Sequence, residues 1–246
     1  YMELFDSSEA RKNVENVLDR ETMEALYDLS GDGHFDLLHG FVKDGKESKV
    51  AVAERGEGEE REFLAVKLYV VGASNYDSMQ KYLTGDPRFE GVGRDKRSVV
   101  FNWCRKEYRN LERARDLDIP APEPVASEKN VLLMEFLGKD YTPAPRLQDV
   151  DLENPGTAFE RLKDYMERLW NDANLVHGDL SSYNVLLWEQ RLHLIDFSQA
   201  VLESHPLSEQ LLERDVENLA DHFERSYGMD LDRDQILEQI IGGETS

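Results

Sequence analysis

Cysteine is almost absent from this sequence. The chain of 246 residues contains one, Cys104, which excludes an internal disulfide framework and fits a reducing compartment. We therefore predict a cytoplasmic protein in which Cys104 is a packed thiol and not a nucleophile.

Long apolar runs are also absent. No window approaches about 18 uninterrupted apolar residues, and the N-terminus shows no basic segment followed by an apolar one. We expect no membrane insertion and no secretion. The proportions of 40% apolar and 33% charged residues are those of a globular protein, long enough for one large domain or two small lobes.

Basic residues are scarce, with 29 against 51 acidic residues and a net charge of −22. Bulk attraction to nucleic acid is therefore disfavoured, and the acidity would suit a salty cytoplasm. One segment differs: residues 94–116 contain eight basic and four acidic residues, a local net charge of +4. It is either a solvated helix face or a patch that faces RNA.

Two short apolar runs, Val185–Trp188 and Leu192–Ile195, predict a β-hairpin because only three polar residues separate them. If the hairpin folds about Gln190, Asn184 lies opposite Asp196 at its open end.

The polar groups around this hairpin suggest a chemistry. Asp179 lies in the loop His177-Gly178-Asp179, shortly before Asn184. Oxygen ligands such as Asn184 and Asp196 suit Mg²⁺, and a loop carboxylate can orient an acceptor. The pattern indicates phosphoryl transfer.

Lys67 is the one charged residue in the predicted strand Phe63–Val71. A buried ammonium needs a partner, and Glu107 falls on the apolar stripe of a predicted helix over residues 102–117. We predict that they pair; the alternative is a Lys67 side chain that extends to solvent at a sheet edge.

The segment Gly40–Val50 resembles a Walker A motif but has Glu47 where the hydroxyl is required, and a strand follows it. We predict a strand-turn-strand flap over phosphate, to which Gly45, Lys46, Ser48 and Val50 contribute.

The strand Val131–Gly138 is predicted to end in a hinge whose backbone at Glu135 and Leu137 binds an adenine edge. An ordinary buried strand with a linker is the alternative.

The remaining elements complete the prediction. We expect a helix, or two, over residues 7–29, a partly mobile loop over 72–98, a helix opened by the capping box Thr157 to Glu160, and helices over 208–227 and 232–241. The predicted organisation is an N-terminal helical extension (1–30), an N-lobe (31–137) and a short C-lobe (138–246).

As a set, these motifs resemble the RIO-type atypical protein kinases of the first type, which lack a winged helix. The resemblance covers roughly residues 31–219 and is carried by Gly45-Lys46-Glu47-Ser48, Ala65-Val66-Lys67, Gly85-Asp86-Pro87-Arg88-Phe89, Lys106-Glu107-Tyr108-Arg109-Asn110-Leu111, Leu132-Leu133-Met134-Glu135-Phe136, His177-Gly178-Asp179-Leu180-Ser181 and Ile195-Asp196-Phe197-Ser198-Gln199-Ala200. It departs at Ser198, where glycine is usual, and at Lys43-Asp44, where Ser-Thr is usual.

The resemblance implies an α+β, two-lobed kinase-like fold that uses ATP with Mg²⁺, or Mn²⁺ as a second candidate ion. It implies Asp179 as catalytic base, Asn184 and Asp196 as metal ligands, Lys67 on the phosphates and Glu107 holding Lys67. Asp196 would also accept phosphate as a nucleophile.

The implied activity is that of an autophosphorylating serine/threonine kinase and ATPase in late maturation of the small ribosomal subunit. Its partners would be ATP and the pre-ribosomal small subunit with its rRNA. Two alternatives remain open: a small-molecule phosphotransferase, and a nucleotide-gated assembly factor with little catalytic turnover.

Overall fold

A computed structural model of the chain describes residues 4–5, 18–71, 76–91, 93 and 95–243. The chain forms two compact units. The first unit comprises Tyr1–Thr84, Phe89–Arg109 and Pro122–Pro143, and the second comprises Gly85–Arg88, Asn110–Ala121 and Ala144–Ser246. The lobe boundaries predicted at residues 30/31 and 137/138 stay predictions.

The first unit is built on a five-stranded antiparallel sheet with the order β1-β2-β3-β5-β4. Its strands are β1 (Leu37–Asp44), β2 (Ser48–Arg55), β3 (Glu62–Tyr69), β4 (Pro124–Glu128) and β5 (Val131–Glu135). The short hairpin of β6 (Gly138–Lys139) and β7 (Thr142–Pro143) follows. Because β3 is the central strand, the alternative of a Lys67 at a sheet edge is wrong.

The two faces of this sheet carry different side chains, since successive residues of a strand point to opposite faces. One face buries Leu64, Val66 and Leu133 together with Leu26 of helix α1 (Arg20–Gly31). The Asp19 carboxylate caps α1 by accepting from the Thr22 amide at 2.9 Å. Residues 7–17 of the predicted N-terminal helix lie outside the described residues.

The segment over residues 72–98 has more regular structure than we predicted. Helix α2 (Tyr76–Leu83) buries Met79, Tyr82 and Leu83, and a 3₁₀ turn follows at Pro87–Phe89. Helix α3 (Lys96–Asp116) begins six residues before its predicted start. The prediction of a loop is wrong for these residues because three apolar side chains at helical spacing outweigh the flanking Gly, Asp and Pro. Residues 72–75, 92 and 94 lie outside the described residues.

The second unit is mainly helical. It contains α4 (Pro155–Asn171), α5 (Ser208–Tyr227) and α6 (Arg233–Gly242), with short strands β8 (Leu175–Val176) and β11 (Val201–Leu202). The predicted bounds of α5 are confirmed, and the Asp232 carboxylate caps α6 by accepting from the Gln235 amide at 3.1 Å. The predicted capping box is wrong: α4 starts at Pro155, so Thr157 already lies in its first turn.

The predicted hairpin is present, but its register differs by one residue. Strands β9 (Val185–Trp188) and β10 (Arg191–Leu194) pair Trp188 with Arg191 across a two-residue turn, Glu189 and Gln190, both with positive φ. Such a type I′ turn matches the twist of paired strands, which explains why Arg191 joins the strand.

The register decides what lies opposite Asn184. The Ile195 amide donates to the Asn184 carbonyl at 2.9 Å, so Asp196 comes one residue beyond the pairing that we predicted.

Among the described residues, no helix combines the length and apolar character needed to cross a membrane.

Candidate active site

The predicted pair of Lys67 and Glu107 is present in the first unit. Lys67 Nζ donates to Glu107 Oε1 at 2.8 Å, and the two side chains are only 5% and 1% exposed. A charge at this depth is tolerated because its opposite charge is within hydrogen-bond distance. The strand β3 and the helix α3 thus hold one ammonium in a fixed place.

A third residue completes this cluster. The phenol of Tyr69, two residues after Lys67 on β3, donates to Glu107 Oε2, and Lys67 Nζ lies 5.2 Å from the centre of the Tyr69 ring. Both oxygens of the Glu107 carboxylate therefore have a donor. Tyr69 was not among the residues predicted from the sequence.

The flap between β1 and β2 has the predicted strand-turn-strand form. The Gly45 amide donates to the Ser48 carbonyl at 3.1 Å, and a Cβ on Gly45 would lie 2.9 Å from that oxygen. Only glycine fits this turn. Asp44, an unexpected acid next to the flap glycine, forms an ion pair with Lys49, which offsets its charge.

Next to Lys67, the same sheet face presents an apolar surface. Val50 lies opposite Lys67 and Val52 opposite Ala65, and Val52 and Ala65 are buried with Phe136. At the predicted hinge, the Glu135 amide donates to the Glu123 carbonyl at 2.8 Å and is thereby engaged. The Glu135 carbonyl and the Leu137 backbone remain the candidates for an adenine edge.

In the second unit, the loop after β8 brings Asp179 and Asn184 together as predicted. Asn184 Nδ2 donates to the Asp179 carbonyl at 2.8 Å and to Asp179 Oδ2 at 3.1 Å. The Asn184 amide nitrogen therefore faces the carboxylate of Asp179, and its oxygen is directed away from it.

His177 connects this loop to the Asp196 segment. Its Nδ1 accepts from the Asp179 amide at 3.3 Å, and its Nε2 lies 3.0 Å from the Ile195 carbonyl. The arrangement fits a neutral ring that carries its proton on Nε2. His177 is buried and its ring packs on that of Phe197, with centroids 4.7 Å apart.

Asp196 has an unusual backbone conformation. Its φ of 65° and ψ of 67° are left-handed, which few residues other than glycine adopt. Its carboxylate is half-buried, and the Ser198 hydroxyl donates to Oδ1 at 2.6 Å. The serine that replaces the usual glycine thus contacts the predicted metal ligand.

Helix α5 supplies a positioning residue, Asp215, that was not among the residues predicted from the sequence. The buried Asp215 carboxylate accepts from the Gly178 amide at 2.7 Å and from the Leu180 amide at 2.8 Å, on both sides of Asp179. Burial raises the pKa of Asp215 to about 8, although the two amide donors act in the opposite direction. An acid among Leu211, Leu212 and Val216 was a readable signal, the same one that identified Glu107.

The donor set fits Mg²⁺. Asn184 and Asp196 offer one amide oxygen and one carboxylate, and Mg²⁺ is commonly held by one or two carboxylates together with phosphate oxygens of the substrate. Among the described residues, no group of three or more His, Cys, Asp or Glu side chains could hold a metal ion by itself. A metal here would depend on a bound nucleotide for further oxygen ligands.

One further prediction concerns a single thiol. Cys104 is fully buried, and burial raises the pKa of its thiol, so the prediction of a packed thiol is confirmed.

The basic segment is divided between the interior and the surface. Lys106 is fully buried, 4.8 Å from the Trp103 ring centre, while Lys96, Arg97, Arg105 and Arg115 are exposed. Arg94 lies outside the described residues.

Comparison with known proteins identifies the family. A profile of the family described as "RIO domain" matches residues 50–236. The chain belongs to the RIO domain family. This membership confirms the resemblance that the motifs indicated.

Two named relatives give the enzyme class. The RIO-type serine/threonine-protein kinase Rio1 of Haloferax volcanii is 44% identical over 233 residues, which cover 95% of this chain and 79% of the relative. The human serine/threonine-protein kinase RIO1 is 36% identical over 219 residues, covering 87% of this chain and 38% of that protein. The prediction of a RIO-type kinase of the first type is confirmed.

A solved structure supports the fold. The Rio2 kinase of Chaetomium thermophilum, described as a complex with ADP, Mg²⁺ and phosphoaspartate, matches with a TM-score of 0.65 at 18% identity. The match covers 89% of this chain and 66% of that one. At this identity it shows the fold, and the predicted α+β kinase-like fold is confirmed.

Proposed function

We propose that this RIO-family kinase transfers the γ-phosphoryl group of ATP in a Mg²⁺-dependent reaction, to serine or threonine hydroxyls, its own included, and to water. The observation that carries the proposal is the contact of Asn184 with Asp179, which holds a candidate base beside a candidate metal ligand.

Each residue has a role in this proposal. Lys67, held by Glu107, binds phosphate oxygens, and the flap residues Gly45, Lys46 and Ser48 approach the same phosphates. Val50 packs on the adenine, and the backbone at Glu135 and Leu137 binds its edge. Asn184 and Asp196 would hold Mg²⁺, which offsets the negative charge that develops on the transferred group.

Asp179 is the proton acceptor in this proposal. Transfer to a serine forms a bond between the hydroxyl oxygen and the γ-phosphorus, and breaks the bond between that phosphorus and the oxygen that leaves with ADP. The hydroxyl proton passes to Asp179. The Asn184 amide, which donates to Asp179 Oδ2, orients the carboxylate for this transfer.

Hydrolysis can proceed through Asp196 itself. One carboxylate oxygen attacks the γ-phosphorus and ADP departs, leaving an aspartyl phosphate. Water then attacks the phosphorus, phosphate leaves, and the Asp196 carboxylate is restored. This route would make the protein an ATPase as much as a kinase.

We further propose a cytoplasmic role in late maturation of the small ribosomal subunit, with rRNA among the contacts. The exposed cations Lys96, Arg97, Arg105 and Arg115 on α3 support this in an otherwise acidic chain. Capture of small-subunit precursors from a native extract tests it. Recovery of the protein without any ribosomal RNA would contradict it.

ATP turnover of two variants tests the catalytic proposal. We expect Asp179→Asn to lower turnover by about 10²- to 10⁴-fold, because it removes the proton acceptor, while Mg²⁺-ATP still binds. Asp196→Asn should lower turnover and weaken the dependence on Mg²⁺. The control is Asp230→Asn, which changes an exposed carboxylate of the second unit.

The outcome separates the proposals. If both variants turn over ATP at the wild-type rate, catalysis by Asp179 and Asp196 is excluded, and a nucleotide-gated assembly factor is favoured. Turnover that requires a small alcohol and no protein hydroxyl would favour a small-molecule phosphotransferase.

A further inference from the structure

The segment just before α3 contains a buried ion pair that the roles above leave unexplained. Asp86, whose side chain is 0% exposed, accepts from Arg88 Nη2 at 2.7 Å and from Arg88 Nε at 3.0 Å. The Arg88 amide also donates to Asp86 Oδ1 at 3.0 Å. Two parallel bonds from a guanidinium to a carboxylate fix the orientation of Arg88.

Arg88 in turn orients the buried side-chain amide of Asn110. Its Nη1 donates to Asn110 Oδ1 at 3.0 Å. Because the Asn110 oxygen faces Arg88, its amide nitrogen must point the other way. Asn110 Nδ2 donates to the Phe197 carbonyl at 3.1 Å and to the Ala200 carbonyl at 2.9 Å.

Those two carbonyls enclose the 3₁₀ turn Phe197–Gln199, which starts directly after Asp196. The left-handed backbone of Asp196 is unfavourable for a residue other than glycine and persists only where its surroundings impose it. Asn110 contacts the segment that follows Asp196, because its single amide group binds a buried carbonyl at each end of the turn. The Phe197 carbonyl also accepts from the Ala200 amide at 3.2 Å.

We propose that Arg88 and Asn110 are positioning residues for Asp196: Asp86 fixes Arg88, Arg88 orients the Asn110 amide, and Asn110 holds the turn that follows the metal ligand. This proposal rests on the proposed function of Asp196. Neither residue needs to touch nucleotide or metal for it.

The expected consequence is specific. When the turn loosens, the Asp196 carboxylate is no longer held ready for a cation, so the Mg²⁺ concentration for half-maximal turnover should rise about tenfold, as for other residues that orient a metal ligand. ATP affinity measured without Mg²⁺ should stay within about twofold, since the Lys67 cluster belongs to the first unit.

Four variants separate the steps. Arg88→Ala removes the orienting cation. Arg88→Lys keeps a charge for Asp86 but lacks the fork, so an intermediate effect is expected. Asn110→Ala removes the amide, and Asn110→Asp retains an acceptor for Arg88 while it lacks any donor for the two carbonyls. Asn110→Asp should therefore be as impaired as Asn110→Ala, although its partner Arg88 is intact.

The matched control is Asn130→Ala. Asn130 is equally buried, and its amide donates to the Thr22 hydroxyl and the Tyr69 carbonyl, both at 2.8 Å, within the first unit. It should lower thermal stability by a comparable amount without changing the Mg²⁺ dependence. A purely structural role for Arg88 and Asn110 would make their variants behave like this control.

A second measurement does not depend on catalysis. Amide hydrogen exchange of residues 196–201, in protein free of nucleotide and metal, should be faster in the Arg88 and Asn110 variants than in the control. Faster exchange in a protein without ATP turnover would uphold the positioning role and reject the proposed function. Unchanged exchange and unchanged Mg²⁺ dependence, with turnover present, would overturn the positioning role. Should Arg88→Ala fail to fold, Asn110→Asp and Arg88→Lys carry the same test.

Discussion

The two units hold the charged side chains among their own predicted site residues by different means. In the first, Lys67 is buried, and its ammonium is stabilised by a side chain of opposite charge on helix α3. In the second, Asp179 and Asp196 are half-buried on loops, and neutral hydrogen bonds from Asn184 and Ser198 hold them.

The difference follows from burial. The buried Lys67 ammonium is stabilised by the Glu107 carboxylate, and the same contact fixes its position. A loop carboxylate with access to water is also stabilised by solvent, and the backbone around it contributes to its position. Groups such as Asp215 and Asn110 hold that backbone by binding amides and carbonyls of the loops.

The largest expected effect comes from removing the counter-charge of Lys67 in the first unit. Glu107→Gln leaves a buried ammonium without its counter-charge, and we expect a loss of about 3 kcal/mol in the free energy of unfolding. The double variant Lys67→Met with Glu107→Leu should recover most of this stability and still lack nucleotide binding. Urea unfolding measures the stability of both variants, and an ATP-binding assay measures the second effect.

A surface pair provides the control. Arg55 and Glu62 form an exposed ion pair at 2.6 Å in the same sheet, so Glu62→Gln should cost less than about 1 kcal/mol. Equal losses in Glu107→Gln and in the double variant would show that charge compensation is not what the pair provides.

A smaller effect is expected in the second unit from Asp215→Asn. The substitution puts an N–H group against one of two backbone N–H donors, which should cost about 2 kcal/mol and lower turnover by displacing the Asp179 loop. Urea unfolding and ATP turnover at pH 7 measure the two effects.

The same variant gives a test with pH. Burial raises the pKa of Asp215 to about 8 in the folded protein, so the folded state binds a proton that the unfolded state has lost. The stability advantage of the wild type over Asp215→Asn should therefore fall as pH rises from about 4 to about 8. A difference that stays constant would mean that the two amides keep the carboxylate ionised.

The smallest expected effect comes from removing the Tyr69 hydroxyl in the first unit. Tyr69→Phe keeps the ring beside Lys67 and removes the phenol that donates to Glu107, and should cost about 1 kcal/mol. It should raise the KM for ATP more than it lowers kcat. The control Tyr141→Phe removes a phenol that donates to the buried Glu54 at 2.6 Å and should leave KM unchanged. An equal change of KM in both variants would contradict a role for Tyr69.

The sequence predicted best where burial and charge conflict. The pairing of Lys67 with Glu107 followed from a single charge in an apolar strand and a single acid on an apolar stripe. The same conflict between burial and charge marks Asp215 on α5, so its role was predictable from the sequence for the same reason.

Other features needed backbone geometry that a sequence pattern does not specify. The hairpin register depended on Glu189 and Gln190, which carry no glycine signal for a left-handed turn. Asn110 was readable as part of a motif, but its contacts with Phe197 and Ala200 join parts of the chain 87 and 90 residues apart. No local periodicity encodes such a contact.

Ser198 has a consequence for the order of events when a cation arrives. Its hydroxyl donates to Asp196 Oδ1 and restricts the rotamers of that carboxylate. If Asp196 binds a cation as proposed, part of the rotamer entropy of the aspartate is lost before the ion binds. A chain with glycine at this position would have to restrict the aspartate at the moment of capture.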